Sequence, residues 1–331
     1  MVWLYLVERR SLTGNFSSWD GGGWVLSILV VGSVALDSVE TPAGRRECTL
    51  GGACTYFATA ASLYARVATV GVVGTDFPQE HVDFMRSRNI DLRGLQVVDG
   101  RTFFWAGRYG ADMGDAETLD TQLNVFADFR PEVPADLRAA EYVFLANIDP
   151  DLQIQVVSQM NKPKLIALDS MNYWIYSKKA ALTRALSMVD VVLFTEGEIK
   201  QYTEDTNLFS AAQRMFDLGP KALVIKRGRH GSTLLTRDEN GSLCFFFVPA
   251  YPLECVVDPT GAGDTFAAGF LGYLASVGGE PDLVHMRRAL VHGAIVASFT
   301  IQDFSIDRLR TLTLAQIQER YDALRKMTHF A

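Results

Sequence analysis

The sequence predicts an α/β protein in which a doubly wound, mostly parallel sheet carries helices on both faces. The chain has 331 residues and is 48% hydrophobic, which is enough for a large domain with a buried core. From Tyr142 onward, short apolar runs alternate with segments of helical length, a pattern typical of parallel strands joined by helices. The Val-rich run Val25–Val34 has the continuous apolar character of a strand buried on both faces.

The first part of the chain follows the same order, with one departure. We predict two strands and two helices there: Val25–Val34, Val67–Val73, Cys54–Tyr64 and Gln79–Arg88. The departure is a pair of extended segments, Thr41–Thr49 and Thr102–Tyr109, which predict a small sheet outside the main one. The aromatic residues of the second segment fit packing against the body of the domain, a dimer contact, or stacking on a substrate ring.

The second part of the chain supplies the rest of the sheet. Its predicted strands are Tyr142–Ile148, Lys164–Asp169, Val191–Phe194, Ala222–Arg227, Ser232–Thr236, Leu243–Pro249 and the strand-like run Leu253–Val257. Its predicted helices are Asp151–Met160, Lys178–Met188, Thr265–Ala275, Leu283–Ile301 and Leu314–Lys326. Polar residues cluster where several of these strands end, which is where an open α/β sheet binds its ligands.

Composition limits the kinds of partner. The formal net charge is −7 and no long basic run occurs, which argues against nucleic acid or an anionic membrane surface as the main partner. The four cysteines (Cys48, Cys54, Cys244 and Cys255) form no C-x-x-C pair, so neither a zinc site nor a disulfide framework is indicated. No apolar run is long enough to span a bilayer. These features favour a reducing, cytoplasmic location.

The segment Met1–Gly23 stands apart from this pattern. Its apolar start is followed by the charged triplet Glu8-Arg9-Arg10, whereas a signal peptide carries its charge before the apolar run. We therefore interpret residues 1–23 as a poorly ordered N-terminal extension, and residues 24–331 as the folded domain.

The most informative stretch is Asp258–Phe270, which reads DPTGAGDTFAAGF. Its small residues allow a ligand to approach the backbone, and the free N–H groups of a helix start favour an anion. Asp264 would lie beside that anion, where a carboxylate repels phosphate but can take a proton from an attacking hydroxyl. The alternative is that Asp264 only caps a core helix. No P-loop motif G-x-x-x-x-G-K-[ST] occurs elsewhere in the chain.

This stretch resembles the C-terminal signature of the PfkB/ribokinase family of sugar and nucleoside kinases. The resemblance implies a ribokinase-like fold with a small β-sheet lid, formed here by about residues 38–50 and 101–125. It also implies that Asp264 is the catalytic base and that the amides of Gly261, Ala262 and Gly263 form an anion hole for the transferred phosphoryl group. In many relatives the first Asp of the signature helps to bind a monovalent cation such as K⁺, and Asp258 is the matching position.

Four residues are candidates for binding the substrate. Asp37 follows the first strand, and the resemblance implies that it bonds substrate hydroxyls, although a turn or cap role fits equally from sequence alone. Gly51 and Gly52 precede a helix and match a glycine pair that lines the sugar site in the family; a plain tight turn is the alternative. Many sugar-specific members follow this pair with an Asn, where this chain has Tyr56. That departure weakens the expectation of an ordinary ribose or fructose contact.

The remaining candidates concern the nucleotide and its metal. Glu198 matches the Glu of the family's Asn-x-x-Glu pattern, which helps to hold hydrated Mg²⁺, while Thr195 replaces the Asn. The alternative for Glu198 is an ordinary acidic residue in the first turn of a helix. Asp169 loosely resembles an Asp-x-Asn element near the phosphate, and it could instead form a turn. The other residues assigned to the nucleotide are Lys226, Gly228, Gly231, Thr260 and His292. His292 could also face the core or solvent.

We therefore expect an ATP- and Mg²⁺-dependent phosphotransferase that acts on a hydroxyl of a small carbohydrate-like molecule. A sugar or a polyol is the substrate that we predict first. A nucleoside kinase of the same fold is the first alternative, favoured by Tyr56 and the aromatic lid. A catalytically weak binding module for sugars or nucleotides is the second. Family members often pair through their lids, so a homodimer through the lid is also expected.

Overall fold

The computed structural model describes residues 27–278 and 281–329, and these residues contain two sheets. The predicted extension Met1–Gly23 lies outside the described residues. The larger sheet has nine strands in the order β13-β12-β11-β10-β9-β8-β1-β4-β5. These strands are β1 (Ile28–Val31), β4 (Val67–Gly74), β5 (Asp91–Val98), β8 (Tyr142–Leu145), β9 (Leu165–Leu168), β10 (Val191–Thr195), β11 (Ala222–Lys226), β12 (Ser232–Arg237) and β13 (Leu243–Val248).

The pairing confirms the prediction of a mostly parallel sheet. Strands from β5 across to β11 pair in parallel, and only the hairpin β12–β13 and its contact with β11 are antiparallel. Helices cover both faces, as the alternation indicated. They are α1 (Ala53–Ala61), α2 (Gln79–Ser87), α3 (Pro150–Gln159), α4 (Asn172–Ser177), α5 (Lys179–Leu186), α6 (Glu196–Thr203), α7 (Leu208–Phe216), α8 (Ala262–Val277), α9 (Leu283–Thr300), α10 (Asp307–Arg310) and α11 (Leu314–Thr328).

Two apolar clusters form the core, one on each face of the nine-stranded sheet. The first joins the sheet to α1, α8 and α9 and includes Phe57, Phe270 and Ile295. The second joins it to α3, α5, α6 and α7 and includes Leu182 and Met215. Because both faces are covered, the central strands are mostly apolar, which explains why the sequence pattern identified β1, β4, β8, β9, β10 and β11.

The smaller sheet has four strands in the order β3-β2-β6-β7. They are β2 (Ala35–Thr41), β3 (Gly44–Gly51), β6 (Phe103–Arg108) and β7 (Glu117–Gln122). The pair β2–β6 is parallel and the outer pairs are antiparallel. This sheet begins at Ala35, so it reaches closer to β1 than the segment predicted from residue 38.

The strand-like run Leu253–Val257 was predicted wrongly. It forms no strand, and its Val257 N–H donates to Ile301 O rather than to a neighbouring strand. The run is partly exposed and serves as the connection that leads into α8. Helices α4, α6 and α7 and strand β5 were not predicted, because their short apolar patterns are broken by polar residues.

Helix α8 runs back across the sheet, opposite to the parallel strands. The hydroxyl of Tyr142, at the start of β8, donates to Leu274 O near the end of α8. The first turn of α8 lies about 15 Å away along the helix, towards the carboxyl ends of the strands. Helix α9 packs closely on α8, since a Cβ on Gly269 would lie 2.6 Å from His292 O.

We expect Gly269→Ala to lower the free energy of unfolding by about 1–2 kcal/mol, because the added methyl group overlaps the backbone of α9 and overpacked cores lose stability. Urea unfolding followed by circular dichroism measures this change. Gly197→Ala is the matched control: it also lies in a helix, but its Cβ would meet only Thr195 Oγ1, at 3.9 Å. The control should be neutral or stabilising by up to about 1 kcal/mol. Equal effects of the two substitutions would contradict the close packing of α8 on α9.

Candidate functional site

The turn before α8 is fixed by the buried carboxylate of Asp258. Its Oδ1 accepts the Thr260 N–H at 2.9 Å, and its Oδ2 accepts the Ser305 N–H at 3.1 Å. Asp258 is only 1% exposed, so both bonds are shielded from water. They tie the turn to the segment that follows α9, and they place the N-terminus of α8 with its amides towards the strand ends.

The turn offers free amides where the sequence predicted an anion hole. Gly261 is the N-cap of α8 with a φ of 74°, and the helix start has no side-chain capping bond. Asp264 therefore does not cap this helix, which was the alternative role for this residue. The N–H groups of Gly261 and Gly263 have no backbone acceptor among the described residues, whereas Ala262 N–H donates to Pro259 O at 3.2 Å.

Asp264 has the properties of a base poised near neutral pH. Burial and then the negative charge of Asp169 raise its pKa to about 7, against the opposing positive charge of Lys226. A carboxylate with such a pKa can both take up and release a proton near pH 7. It lies in the first turn of α8, directly after the candidate anion-binding amides.

Asp37 lies near the same turn, at the end of the smaller sheet. It is 4% exposed, and its Oδ2 accepts the Gly52 N–H at 3.4 Å. Any side chain on Gly51 would overlap the Asp37 carboxylate, so the glycine is required there. Gly52 has a φ of 90° and lies against the Ser33 backbone, which again excludes a side chain. Burial, opposed by the Gly52 amide, raises the pKa of Asp37 to about 7, and Asp258 and Asp264 raise it too.

Tyr56 fills the space between Asp37 and the turn. Its ring lies where a Cβ on Gly261 would be, and it is 1% exposed. Its hydroxyl is buried and has no hydrogen-bond partner among the described residues. Burial, and then the charges of Asp37 and Asp258, raise the pKa of this hydroxyl well above its ordinary value, so it stays neutral. A buried hydroxyl without a partner is unfavourable unless a ligand supplies one.

Tyr109 is a site residue that sequence reasoning missed. It follows β6, and its hydroxyl accepts a hydrogen bond from Thr260 Oγ1 at 3.1 Å. The smaller sheet therefore contacts the turn directly, and Thr260, predicted to bind nucleotide, is engaged by that contact. The position of Tyr109 at the end of the aromatic segment was the only feature of the sequence that could have indicated a role in the site. No pattern in the sequence identified Thr260 as its partner.

A cluster of charged groups lies at the carboxyl ends of β9, β10 and β11. Lys226 Nζ donates to Asp169 Oδ2 at 2.5 Å, and both side chains are largely buried. Glu198 is 8% exposed, and burial raises its pKa to about 7 although Lys226 opposes the rise. Its Oε2 accepts the Thr195 N–H at 2.7 Å, and Thr195 Oγ1 accepts the Glu198 N–H in return. The pair thus forms a capping box at the start of α6.

The described residues contain no group of three or more His, Cys, Asp or Glu side chains that would hold a bare metal ion. A hydrated Mg²⁺ needs only one or two carboxylates, because water and phosphate oxygens supply its other ligands. Glu198 fits that role, with one oxygen bonded to the backbone and the other available for a water ligand.

The loop of Gly228 and Gly231 follows β11 and begins beside Lys226. Both glycines have positive φ, and a side chain on Gly231 would overlap the Val248 backbone, whereas Gly228 faces open space. The loop also contacts the connection between β6 and β7 of the smaller sheet, since Arg229 Nη2 donates to Asp112 O at 3.0 Å. This places a glycine-containing turn next to a buried cation, an arrangement that suits a phosphate chain.

The structure does not bring His292 to this site. Its Nδ1 is hydrogen-bonded to the Tyr64 hydroxyl at 3.0 Å, and its ring stacks on Tyr273. Tyr64 and Tyr273 lie towards the amino ends of the strands, away from Asp264. Burial lowers the pKa of His292 to about 4, so it is a neutral core residue. The nucleotide assignment of His292 is replaced by the alternative that it faces the core.

Comparisons with known proteins show the family and the fold. Residues 26–307 match the model of the pfkB family of carbohydrate kinases. A cytidine kinase of Thermococcus kodakarensis is 33% identical over 256 residues, covering 75% of this chain and 89% of the relative. A nucleoside kinase of Methanothermobacter thermautotrophicus is 27% identical over 311 residues, covering 83% and 89%. The fold matches an E. coli protein solved with ATP and Mg²⁺ (TM-score 0.74, 18% identity, 90% of this chain and 100% of that one).

We expect Asp37→Asn to raise the free energy of unfolding at pH 8 by about 2 kcal/mol, because burial of the charged carboxylate opposes folding. The folded pKa of about 7 lies above the ordinary value of 3.8, so the destabilising contribution of Asp37 disappears as the pH falls from 7 to 4. The difference between variant and wild type should therefore vanish near pH 4. Urea unfolding from pH 4 to 8 measures it.

The control for this prediction is Asp99→Asn, which makes the same chemical change at an exposed position. It should leave stability nearly unchanged at every pH. A variant Asp37→Asn that is no more stable than wild type at pH 8 would contradict the buried charge at this position.

Proposed function

The chain belongs to the pfkB family of carbohydrate kinases, and on that premise we propose that it is an ATP-dependent nucleoside kinase. The observation that carries the proposal is the similarity to a cytidine kinase along 75% of the chain, at 33% identity. The main prediction from the sequence was a sugar or polyol kinase, and it is less well supported than the alternative of a nucleoside kinase. Tyr56, which replaces the Asn of sugar-specific members, agrees with this change.

Transfer is a direct displacement at the γ-phosphorus. Asp264 takes the proton of the substrate hydroxyl, and the hydroxyl oxygen forms a bond to the γ-phosphorus as the bond to the bridging oxygen of ADP breaks. The amides of Gly261 and Gly263 donate to the oxygens of the phosphoryl group, whose charge they stabilise in a site shielded from water. Asp37 holds a second hydroxyl of the ribose, which fixes the distance between the reacting atoms.

The nucleotide lies on the other side of the turn, along β10 and β11. Lys226 and the backbone of Gly228 and Gly231 would contact the phosphates, and Thr195 and Glu198 would hold water molecules bound to Mg²⁺. Bound Mg²⁺ would neutralise charge on the β- and γ-phosphates. The monovalent cation at Asp258 stays a prediction.

The smaller sheet acts as the lid in this proposal. Tyr109 connects it to the turn through Thr260, so closure over the nucleoside is coupled to the anion hole. Strand β7 is exposed along its full length, which leaves this sheet open for pairing of two lids in a homodimer. The four unpaired cysteines fit a reducing compartment. No helix in the described part of the chain is long and apolar enough to cross a membrane.

We expect the purified protein to phosphorylate ribonucleosides, cytidine among them, in the presence of ATP and Mg²⁺. Free ribose and fructose should have a kcat/KM lower by about 100-fold or more, because they cannot use binding energy from a base. An assay that couples ADP release to NADH oxidation measures both. Faster turnover of a free sugar than of any nucleoside would instead support a sugar kinase. Thermal shifts with nucleosides but no turnover on any acceptor would instead favour the binding module.

We expect Asp264→Asn to lower kcat by about 10³-fold or more while the affinity for ATP changes little, since the amide cannot accept the hydroxyl proton. Single-turnover kinetics and a direct ATP titration separate these two effects. Asp282→Asn is the matched control, because Asp282 also lies at a helix start but is exposed and caps α9. Retained turnover in Asp264→Asn would contradict its role as the base.

A further inference from the structure

Lys226 occupies a position that the phosphate-binding role alone does not explain. Its ammonium group bonds Asp169 at 2.5 Å and also lies 3.3 Å from the point that a Cβ on Gly263 would occupy. The group is thus in contact with the backbone of the turn, one residue before Asp264. Three elements supply this arrangement: the end of β9, the end of β11 and the start of α8.

The ion pair is not explained by stability. Removing two charges from water opposes folding, and a buried ion pair is often replaceable by apolar residues without loss. Here Lys226 and Asp169 are 14% and 5% exposed in their side chains, so the cost of desolvation applies to both. A pair retained under these conditions at the edge of a candidate active site has a use other than holding the strands together.

The neighbouring cations are already engaged by other groups. Arg227 donates to Glu196 at 2.7 Å, and Arg229 donates to Asp112 O at 3.0 Å. An ammonium group has three N–H donors, and Asp169 accepts one of them. Lys226 therefore has donors left for phosphoryl oxygens beside Gly263, whose amide has no backbone acceptor among the described residues.

We propose that Lys226 contacts the phosphoryl group during its transfer and that Asp169 is the positioning residue that holds Lys226 against the turn. This inference rests on the phosphotransferase function proposed above. Asp169 fixes the long, flexible side chain of Lys226 before the nucleotide arrives, so the charge is already in place when negative charge moves between the reacting oxygens. Asp169 does not itself touch the substrate, and it acts on the phosphoryl group only through Lys226. Its charge also raises the pKa of Asp264, so the variants are compared at a pH where Asp264 is charged in all of them.

The test is a double-mutant cycle with Lys226→Met, Asp169→Asn and the double variant, each measured for kcat, ATP affinity and melting temperature. Lys226→Met should lower kcat by about 100-fold or more. Asp169→Asn should lower kcat by about 10-fold or more with ATP affinity within about threefold of wild type. Asp169→Glu should recover part of the lost kcat, because the carboxylate is restored.

The double variant separates catalysis from folding. It removes both charges of the pair, whereas Lys226→Met leaves Asp169 buried without its partner, so the double variant should melt closer to wild type than Lys226→Met does. On the plateau of the pH–rate profile, where Asp264 is fully charged in each variant, its kcat should equal that of Lys226→Met, because Asp169 has no separate contribution there once Lys226 is gone. A double variant with wild-type kcat would make the pair purely structural. A further loss on adding Asp169→Asn to Lys226→Met would overturn the positioning role.

Lys164→Met is the matched control. Lys164 pairs with Glu141 at 2.9 Å. Glu141 directly precedes β8 and Lys164 directly precedes β9, so this ion pair lies at the amino ends of the strands, opposite to the candidate site. The same substitution there should leave kcat unchanged. All ratios are taken on the alcohol that the wild-type protein phosphorylates fastest. If the nucleoside assignment is wrong, the wild-type protein will prefer another substrate in the panel. If the roles of Lys226 and Asp169 are wrong, only the kcat ratios of the variants to wild type will differ from those expected.

Discussion

The contact between the ring of Tyr56 and the backbone of Gly261 is the constraint on which the site depends. The turn passes so close to the ring that no side chain fits, and its φ of 74° is one that glycine adopts without strain. Asp258 holds the turn from the other side through two backbone amides. Because the turn is fixed between these two contacts, α8 starts at a defined place, and Asp264 and the free amides are presented at the ends of the strands.

The site concentrates charge in a region shielded from water. Burial raises the pKa values of Asp37, Asp264 and Glu198 to about 7, and Lys226 is the cation among them. Such groups oppose folding, so the rest of the domain must supply the stability that they remove. The close packing of α8 on α9 and the apolar cluster on each face of the sheet do so, and they lie behind the site rather than in it.

In the proposed mechanism, the residues that select the acceptor differ from those that carry out the transfer. The turn, Asp264 and the cluster around Lys226 would act on any alcohol that reaches them. Tyr56 and Tyr109 shape the space beside Asp37, and they come from α1 and from the end of β6. The buried hydroxyl of Tyr56 has no hydrogen-bond partner in the part of the chain that the structure describes, and a ligand hydroxyl can supply one. This separation explains how one catalytic turn can serve sugar and nucleoside kinases within a single family.

The sequence by itself determined the sheet, its alternation with helices and the turn at Asp258–Phe270, because buried parallel strands are apolar along their length and the turn's glycines are a local requirement. It also identified Asp37, Glu198 and Lys226 as polar residues at strand ends. Only the tertiary structure paired Lys226 with Asp169, joined Tyr109 to Thr260, placed Tyr56 against Gly261 and moved His292 into the core. These contacts join residues distant in the chain, and a local pattern contains no information about which distant side chain fills a given space.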